Sequence, residues 1–385
     1  MVQKKRLGEI ALLQRGLTYS KGDEVPSSSK VVLRSNNIDL ESHSLHLSEL
    51  KFLREDFVIP EERRVKKDSI LICMSNGSKQ HVGKVAFIDR DMDYAFGGFM
   101  GLIVPKPSVS AKYVFYACNS SSNRTFLSQI GNGIGITNLR FSDLEKFEIP
   151  LPSIEDQQRI VDELDLLTGI IEKKNAQLRD LDALAKSIFY EMFGSNTSSW
   201  PSHRLGDICD TTSGGTPSKS HSEYYLNGTI PWLRSGEVEG TNITDTEIKI
   251  TDLGVKYSSA KWFPAQTVVV AMYGATVGEV GILGKSMTTN QAVCGILPNG
   301  YLRPLYLYSW FRSKKIDFVE QATGGAQPNI SQNIIRNSKI CCPPLDIQDS
   351  FVERLASIEE QKLLVEKSTR DTQSLLDGRM DIYFG

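Results

Sequence analysis

The sequence predicts an α+β protein: two similar mixed α/β domains joined by two long helices paired as an antiparallel coiled coil, with a pseudo-twofold internal duplication. Three observations carry this reading. Arg6-Leu7-Gly8-Glu9-Ile10 returns as Arg204-Leu205-Gly206-Asp207-Ile208. The segment 154–194, ending in Phe193-Gly194, is mirrored by 345–385, ending in Phe384-Gly385. Apolar residues within 154–194 recur at alternating steps of four and three, the seam of a coiled coil.

The repeat holds its register over most of the chain. Ser69-Ile70-Leu71 lies 198 residues before Thr267-Val268-Val269, and Leu33-Arg34-Ser35 lies 200 before Leu233-Arg234-Ser235. From Gly133 onward the shift is 191, pairing Asn138 with Asn329, Pro152 with Pro343 and Val161 with Val352. Such a period is far longer than the roughly 20–50 residues of a solenoid unit, so a whole module is duplicated. The expected boundaries are 1–153 for the first domain, 154–194 for the first helix, 195–344 for the second domain and 345–385 for the second helix.

Taken in order, residues 1–153 show β-branched runs at Val31-Val32-Leu33, Ser69 to Cys73, Val82 to Ile88 and Gly101 to Val104, with a helix near Ala111 to Asn119. Pro150 and Pro152 stop the strand-like Phe147-Glu148-Ile149, and Ser153 with Asp156 supplies a helix cap. On the first long helix the seam is Ile160, Leu164, Leu167, Ile171, Leu178, Leu181 and Ile188, broken by Lys174. Gly194 stands where a left-handed residue closes a helix, and Ser195 to Ser199 reads as a linker. Strands then return at Ile230 to Leu233, Thr267 to Met272, Val277 to Leu283 and Val293 to Leu297, with a helix near Pro304 to Arg312. The second long helix is apolar at Leu355, Ile358, Val365 and Leu376 but interrupted by Lys362, Thr369, Thr372 and Arg379. Each helix would be about 60 Å long and needs a partner, which the other supplies.

Composition is that of an ordinary soluble protein, 40% hydrophobic and 23% charged. The basic start Met1 to Arg6 is followed by no apolar core, and no stretch approaches the ~20 apolar residues of a membrane span, so a cytoplasmic protein without a membrane partner is expected. The six cysteines lack the Cys-x-x-Cys spacing of a zinc or redox site, the five histidines share no spacing, and no metal is expected. Net charge is −2, but it is unevenly placed: each long helix carries −4 and the rest of the chain +6.

No catalytic constellation is present. There is no Gly-Lys-Ser/Thr phosphate loop. Gly131-Asn132-Gly133-Ile134-Gly135 lacks the strand and acidic residue of a dinucleotide site. What recurs instead are polar turns. In the first domain they offer Thr18, Tyr19, Lys21, Arg34, Ser35, Asn36, Asn76, Lys79 and Gln80. In the second they offer Thr216, Ser218, Lys219, Arg234, Ser235, Tyr273, Thr276, Asn290, Gln291, Gln327 and Asn329. Arginine suits guanine, Asn and Gln suit adenine, and hydroxyls and backbone amides hold phosphates. The duplicated parts are built to bind rather than to turn over.

These residues resemble the specificity subunit of type I restriction-modification systems. The resemblance rests on Gly214-Gly215-Thr216-Pro217-Ser218 followed by Tyr224-Tyr225 and Ile230-Pro231-Trp232-Leu233, and on the junction Ile149 to Val161. Pro343-Pro344-Leu345-Asp346-Ile347-Gln348 keeps the prolines and glutamine but departs at Ile347, and Ile136 stands where many relatives carry Gln. The resemblance implies two target-recognition domains, each reading one half of a split sequence in double-stranded DNA, with the helices as a ruler. It implies as partners two methyltransferase subunits, which bring S-adenosylmethionine, and restriction subunits, which use ATP and Mg; no cofactor is expected on this chain. Two other readings stay open: the specificity subunit of another, type IIB-like restriction class, and a non-catalytic coiled-coil scaffold.

Overall fold

The computed structural model describes residues 2–40, 42–130, 138–194, 200–323 and 328–385. The glycine-rich run 131–135, the linker 195–199 and Gln327 lie outside the described residues. The chain divides into two compact units: Met1–Asn175 with Lys367–Gly385, and Ala176–Glu366. Each unit therefore contains one head, the half of the long helix that adjoins it, and half of the other helix.

In the first unit the head has two four-stranded sheets. One runs Ala11–Arg15, Met100–Pro105, Ser69–Cys73 and Val85–Ile88, antiparallel throughout. The other runs Glu24–Val25, Lys51–Leu53, Lys30–Leu33 and Tyr94–Phe96, the last pair parallel. Ser69–Cys73 is buried on both faces, which is why it reads as a continuous apolar run rather than an alternating one. A two-stranded ribbon of Lys4–Arg6 and Glu148–Pro150 ties the head's two ends together. The second unit repeats the plan. Its sheets run Thr211–Ser213, Val293–Ile296, Val268–Ala271, Val280–Leu283 and Gly240–Ile243, and Lys249–Ile250, Ile230–Leu233, Met287–Thr289 and Trp262–Phe263. Its ribbon joins Ser202–Arg204 to Lys339–Cys341.

The long helices span Ile154–Phe193 and Leu345–Phe384. Ser153 caps the first, its hydroxyl accepting from the Asp156 amide at 3.1 Å. Gly194 is not left-handed as expected; the positive-φ glycines among the described residues are Gly83, Gly240, Gly274 and Gly278, and the Gly194 amide continues the helical ladder to the Tyr190 carbonyl at 2.8 Å.

Each helix leaves its own head through a buried glutamine. The Gln157 Oε1 accepts from the Ser110 amide at 3.0 Å and its Nε2 donates to the Pro152 carbonyl at 2.9 Å. Ser110 caps the head helix Ala111–Asn119, so the joint fixes one helix against the start of another. In the second unit Gln348 accepts from the Arg303 amide at 2.8 Å and donates to the Tyr301 and Pro343 carbonyls at 2.9 and 2.8 Å. Arg303 is the cap of the head helix Pro304–Ser313.

Each helix ends in the core of a unit that it did not start in. Phe384 packs on Tyr113 of the first head at 5.0 Å between ring centroids, and Phe193 on Tyr306 of the second at 4.8 Å. Both tyrosine hydroxyls donate to the ribbon strand, to the carbonyls of Pro150 and Cys341 at 2.7 and 2.8 Å.

The helices pair antiparallel within each unit, and their polar positions face polar partners. In the first unit the Lys174 ammonium donates to the Ser368 carbonyl and hydroxyl at 2.8 and 2.7 Å and to the Thr372 hydroxyl at 2.7 Å, while Arg379 pairs with Glu163 at 2.8 Å. In the second, Lys362 pairs with Asp182 at 3.0 Å and Glu359 at 3.2 Å. Burial pulls the Lys362 ammonium's affinity for its proton down, but these two carboxylates outweigh it and leave it raised. Of the seam residues, Ile160, Leu164, Leu167, Leu181, Leu355 and Ile358 are buried, and Ile171, Leu178, Ile188, Val365 and Leu376 are half-buried.

The Phe384→Ala variant should cost the first unit about 3–5 kcal/mol, because it empties a site in a close-packed core. Hydrogen exchange should accelerate in Ala111–Asn119 and remain unchanged in Pro304–Ser313; equal acceleration in both would contradict this division of the core.

Candidate nucleic-acid interface

The polar turns of the first unit gather around one concavity because each follows a strand of its two sheets. Gly16 to Tyr19 leaves Ala11–Arg15, Arg34 to Asn37 leaves Lys30–Leu33, Met74 to Gly77 leaves Ser69–Cys73, and Gly97 to Phe99 joins Tyr94–Phe96 to Met100–Pro105. Close passage of the backbones requires glycine: a Cβ on Gly16 would fall 1.9 Å from the Gly97 carbonyl oxygen. The turns enclose a concavity of about 990 Å3. Thr18, Tyr19, Lys21, Arg34, Ser35, Asn36 and Asn76 all line it. Gln80 is exposed in a short turn at Lys79–His81 and is not part of that lining; the Lys79 side chain lies outside the description.

A buried scaffold shapes this surface. Asn37 is fully buried, accepts from the Arg34 amide at 2.8 Å and donates to the His46 and Glu49 carbonyls at 3.0 and 3.1 Å. The buried Lys84 ammonium donates to the Ile38 carbonyl at 2.7 Å, and burial holds it below the usual lysine range. Asn76 donates to the Ser35 hydroxyl at 2.8 Å. Burial first, then Glu24, pushes the Tyr19 hydroxyl above the ordinary tyrosine range, against the pull of Arg34. Lys51 is paired with Glu24 at 3.0 Å. The Arg34 Nε, by contrast, is buried without a hydrogen-bond acceptor among the described residues.

The second unit brings its turns together by the same backbone bonds. The Gly215 amide donates to the Thr289 carbonyl at 2.9 Å where Leu17 donates to Phe96 at 2.6 Å, and a Cβ on Gly214 would fall 2.0 Å from the Thr289 oxygen. Thr216 hydrogen-bonds directly to Gln291. The indole of the buried Trp232 donates to the Gly215 carbonyl at 2.9 Å, and the Tyr225 hydroxyl to Pro217 at 2.5 Å. Ser218 meets Ser220 at 2.7 Å, and Thr216, Ser218 and Lys219 are exposed. Tyr273 bridges Asn329 as Ser75 bridges Asn138, and the Thr276 hydroxyl turns back to donate to the Tyr273 carbonyl at 3.4 Å. Asn290, next to Gln291, donates its amide to the Leu233 carbonyl at 2.9 Å, close to Arg234 and Ser235.

The two arginines that the repeat aligns are not equivalent. Arg234 is clamped by Glu237 at 3.0 Å and by Glu247, and the Glu237 hydrogen bond above all raises its already high pKa. Pairing to two carboxylates withdraws its fork of donors from an incoming base, and sequence spacing gave no sign of Glu247. Sequence reasoning also passed over Gly97, Gly98 and Phe99, which occupy the place of Asn290, Gln291 and Ala292: the Gly97 amide donates to Leu33 at 2.9 Å as Asn290 does to Leu233. The shared bond pattern is the signal that finds them. Among the described residues no cluster of metal-ligating side chains occurs, and no helix is long and apolar enough to cross a membrane.

The model of the type I restriction modification DNA specificity domain matches residues 1–180 and again 197–372. The EcoKI specificity subunit of Escherichia coli K12 is 22% identical, over 95% of this chain and 86% of its own length. The MjaIX specificity subunit of Methanocaldococcus jannaschii is 25% identical over 70% of this chain and 68% of its own. In fold, the chain is similar to the type I restriction-modification S subunit from M. genitalium, with a TM-score of 0.57 at 15% identity over 100% of this chain and 96% of that one. A chain from a structure describing complex assembly of the type I R-M system gives the same TM-score at 18% identity, over 99% and 97%. With two specificity domains matched over most of its length and the duplicated architecture to go with them, this chain belongs to the type I restriction modification DNA specificity family.

Proposed function

We propose that this chain is the DNA sequence-recognition subunit of a type I restriction-modification enzyme, itself without catalytic activity. Residues 1–153 and 195–344 are its target-recognition domains, and each reads one half of a bipartite sequence in double-stranded DNA. The helices 154–194 and 345–385 keep the half-sites at a fixed spacing and dock two methyltransferase subunits. Those subunits carry S-adenosylmethionine, and restriction subunits with ATP and Mg join that core.

The observation that carries the reading is the recurrence, in both units, of turns at matching places, mostly polar, held by matching backbone bonds at the ends of sheet strands. A base-reading surface needs donors and acceptors presented on a stiff frame, because discrimination between bases depends on fixed hydrogen-bond geometry. The charge distribution fits as well. Heads that carry +6 between them attract phosphates weakly, and methyltransferase partners supply the rest of the clamp.

Arg34→Ala, assayed as a complex with the methyltransferase, should weaken binding by about 1–3 kcal/mol and relax selection at one base pair of one half-site. Competition binding on duplexes altered in one half at a time checks this, and equal loss in both halves would contradict two separate readers. A heptad inserted into each long helix, after Asn175 and after Glu366, keeps the seam in phase and adds about 10 Å. The methylated target should then gain about three base pairs of spacer, at roughly 34 Å per turn of duplex; an unchanged spacer would contradict the ruler.

A further inference from the structure

We infer that Phe99 is an aromatic wedge that the first unit inserts between stacked bases of its half-site, where the second unit has a buried alanine, Ala292, at the equivalent position; this rests on the DNA-recognition reading above. Phe99 is 73% exposed, yet it lines the same concavity as Tyr19, Arg34 and Asn76. Single exposed apolar residues are common on protein surfaces. Two features set this one apart.

The first is how firmly its backbone is held. The Phe99 carbonyl accepts from the Met74 amide at 2.9 Å and the Ser75 amide at 3.2 Å. On the other side of the turn, Met100 donates to Gly97 at 2.8 Å and Gly97 to Leu33 at 2.9 Å. A ring on a pinned turn, free only in two side-chain torsions, loses little entropy when it is enclosed. The second feature is the comparison within the chain. Met272 donates to the Ala292 carbonyl at 2.8 Å as Met74 does to Phe99, so Ala292 holds the equivalent position, and it is buried. One copy of the repeat keeps a small residue packed inside where the other presents a phenyl ring to solvent.

Among neighbours that hydrogen-bond, a phenyl ring offers only a face and an edge. Against duplex DNA that chemistry suits the base stack: apolar side chains wedge between base steps and partly unstack them, and aromatic rings stack on exposed bases. Being neutral, Phe99 adds nothing to phosphate attraction.

The test uses the chain assembled with its methyltransferase on the cognate duplex, with 2-aminopurine placed in each half-site at positions other than the methylated adenines. The wild-type complex should brighten the probe in the half-site that the first unit reads. Phe99→Ala should abolish that signal and weaken binding roughly tenfold, the scale of one base–aromatic stack, with the salt dependence unchanged. Its melting temperature should match wild type because the ring is exposed, and Phe99→Trp should retain the affinity. Wild-type binding and fluorescence in Phe99→Ala would overturn the inference, as would weaker binding traced to poorer assembly with the methyltransferase, which would make the ring a protein contact. A wild-type complex that prefers no bipartite duplex would overturn the recognition reading itself.

Discussion

The structure depends on how two long helices are pinned at both ends. A 40-residue helix with an interrupted apolar seam does not hold its place by propensity, so its ends must be fixed by tertiary packing. At its start each helix offers one buried glutamine, Gln157 or Gln348, whose amide is committed to the cap of a head helix and to a proline carbonyl. Such a joint is demanding, because an unmade bond to a buried amide costs more than the made bond contributes. At its end each helix delivers a phenylalanine, Phe193 or Phe384, to the aromatic core of the other unit. The first unit completes its core from two separate stretches of chain, Met1–Asn175 and Lys367–Gly385, and the second from the single stretch Ala176–Glu366, which takes in the end of one long helix and the start of the other.

Along the helices the polar interruptions act with this pinning rather than against it. Lys174 opposite Ser368 and Thr372, and Lys362 opposite Asp182, each satisfy their donors only in one alignment. Sliding the helices would strand a charged group, so these positions specify register at some cost in stability.

The duplication has kept the frame and released the surface. Backbone bonds around Leu17 and Gly215, Gly97 and Asn290, and Phe99 and Ala292 are the same in both units. The side chains on them are not: an arginine whose buried Nε has no acceptor among the described residues in one unit is clamped by two glutamates in the other. Recognition surfaces on loops over a rigid scaffold are free to diverge in this way without disturbing the core.

Much of the fold was legible in the sequence because periodicity and burial leave strong marks. The helix Ala111–Asn119 and the strands Ser69–Cys73 and Ile230–Leu233 lie where their apolar runs put them, and the long helices follow their seam. What the sequence hid was tertiary. Gln157 and Gln348 look like surface polar residues until their partners are known, and Lys174 and Thr372 look like defects until they face each other. Phe99 sits in a Gly-Gly-Phe turn that marks flexibility, not exposure, and Glu247 is too far along the chain to announce its hold on Arg234.

The central claim is that two like units read two separated stretches of one DNA target. Genome-wide mapping of methylated adenine in cells that express this chain with its methyltransferase tests it most directly. The account predicts a single motif with two specified halves and an unspecified spacer of constant length, lost when the chain is deleted. A continuous motif, or methylation indifferent to the chain, would contradict it.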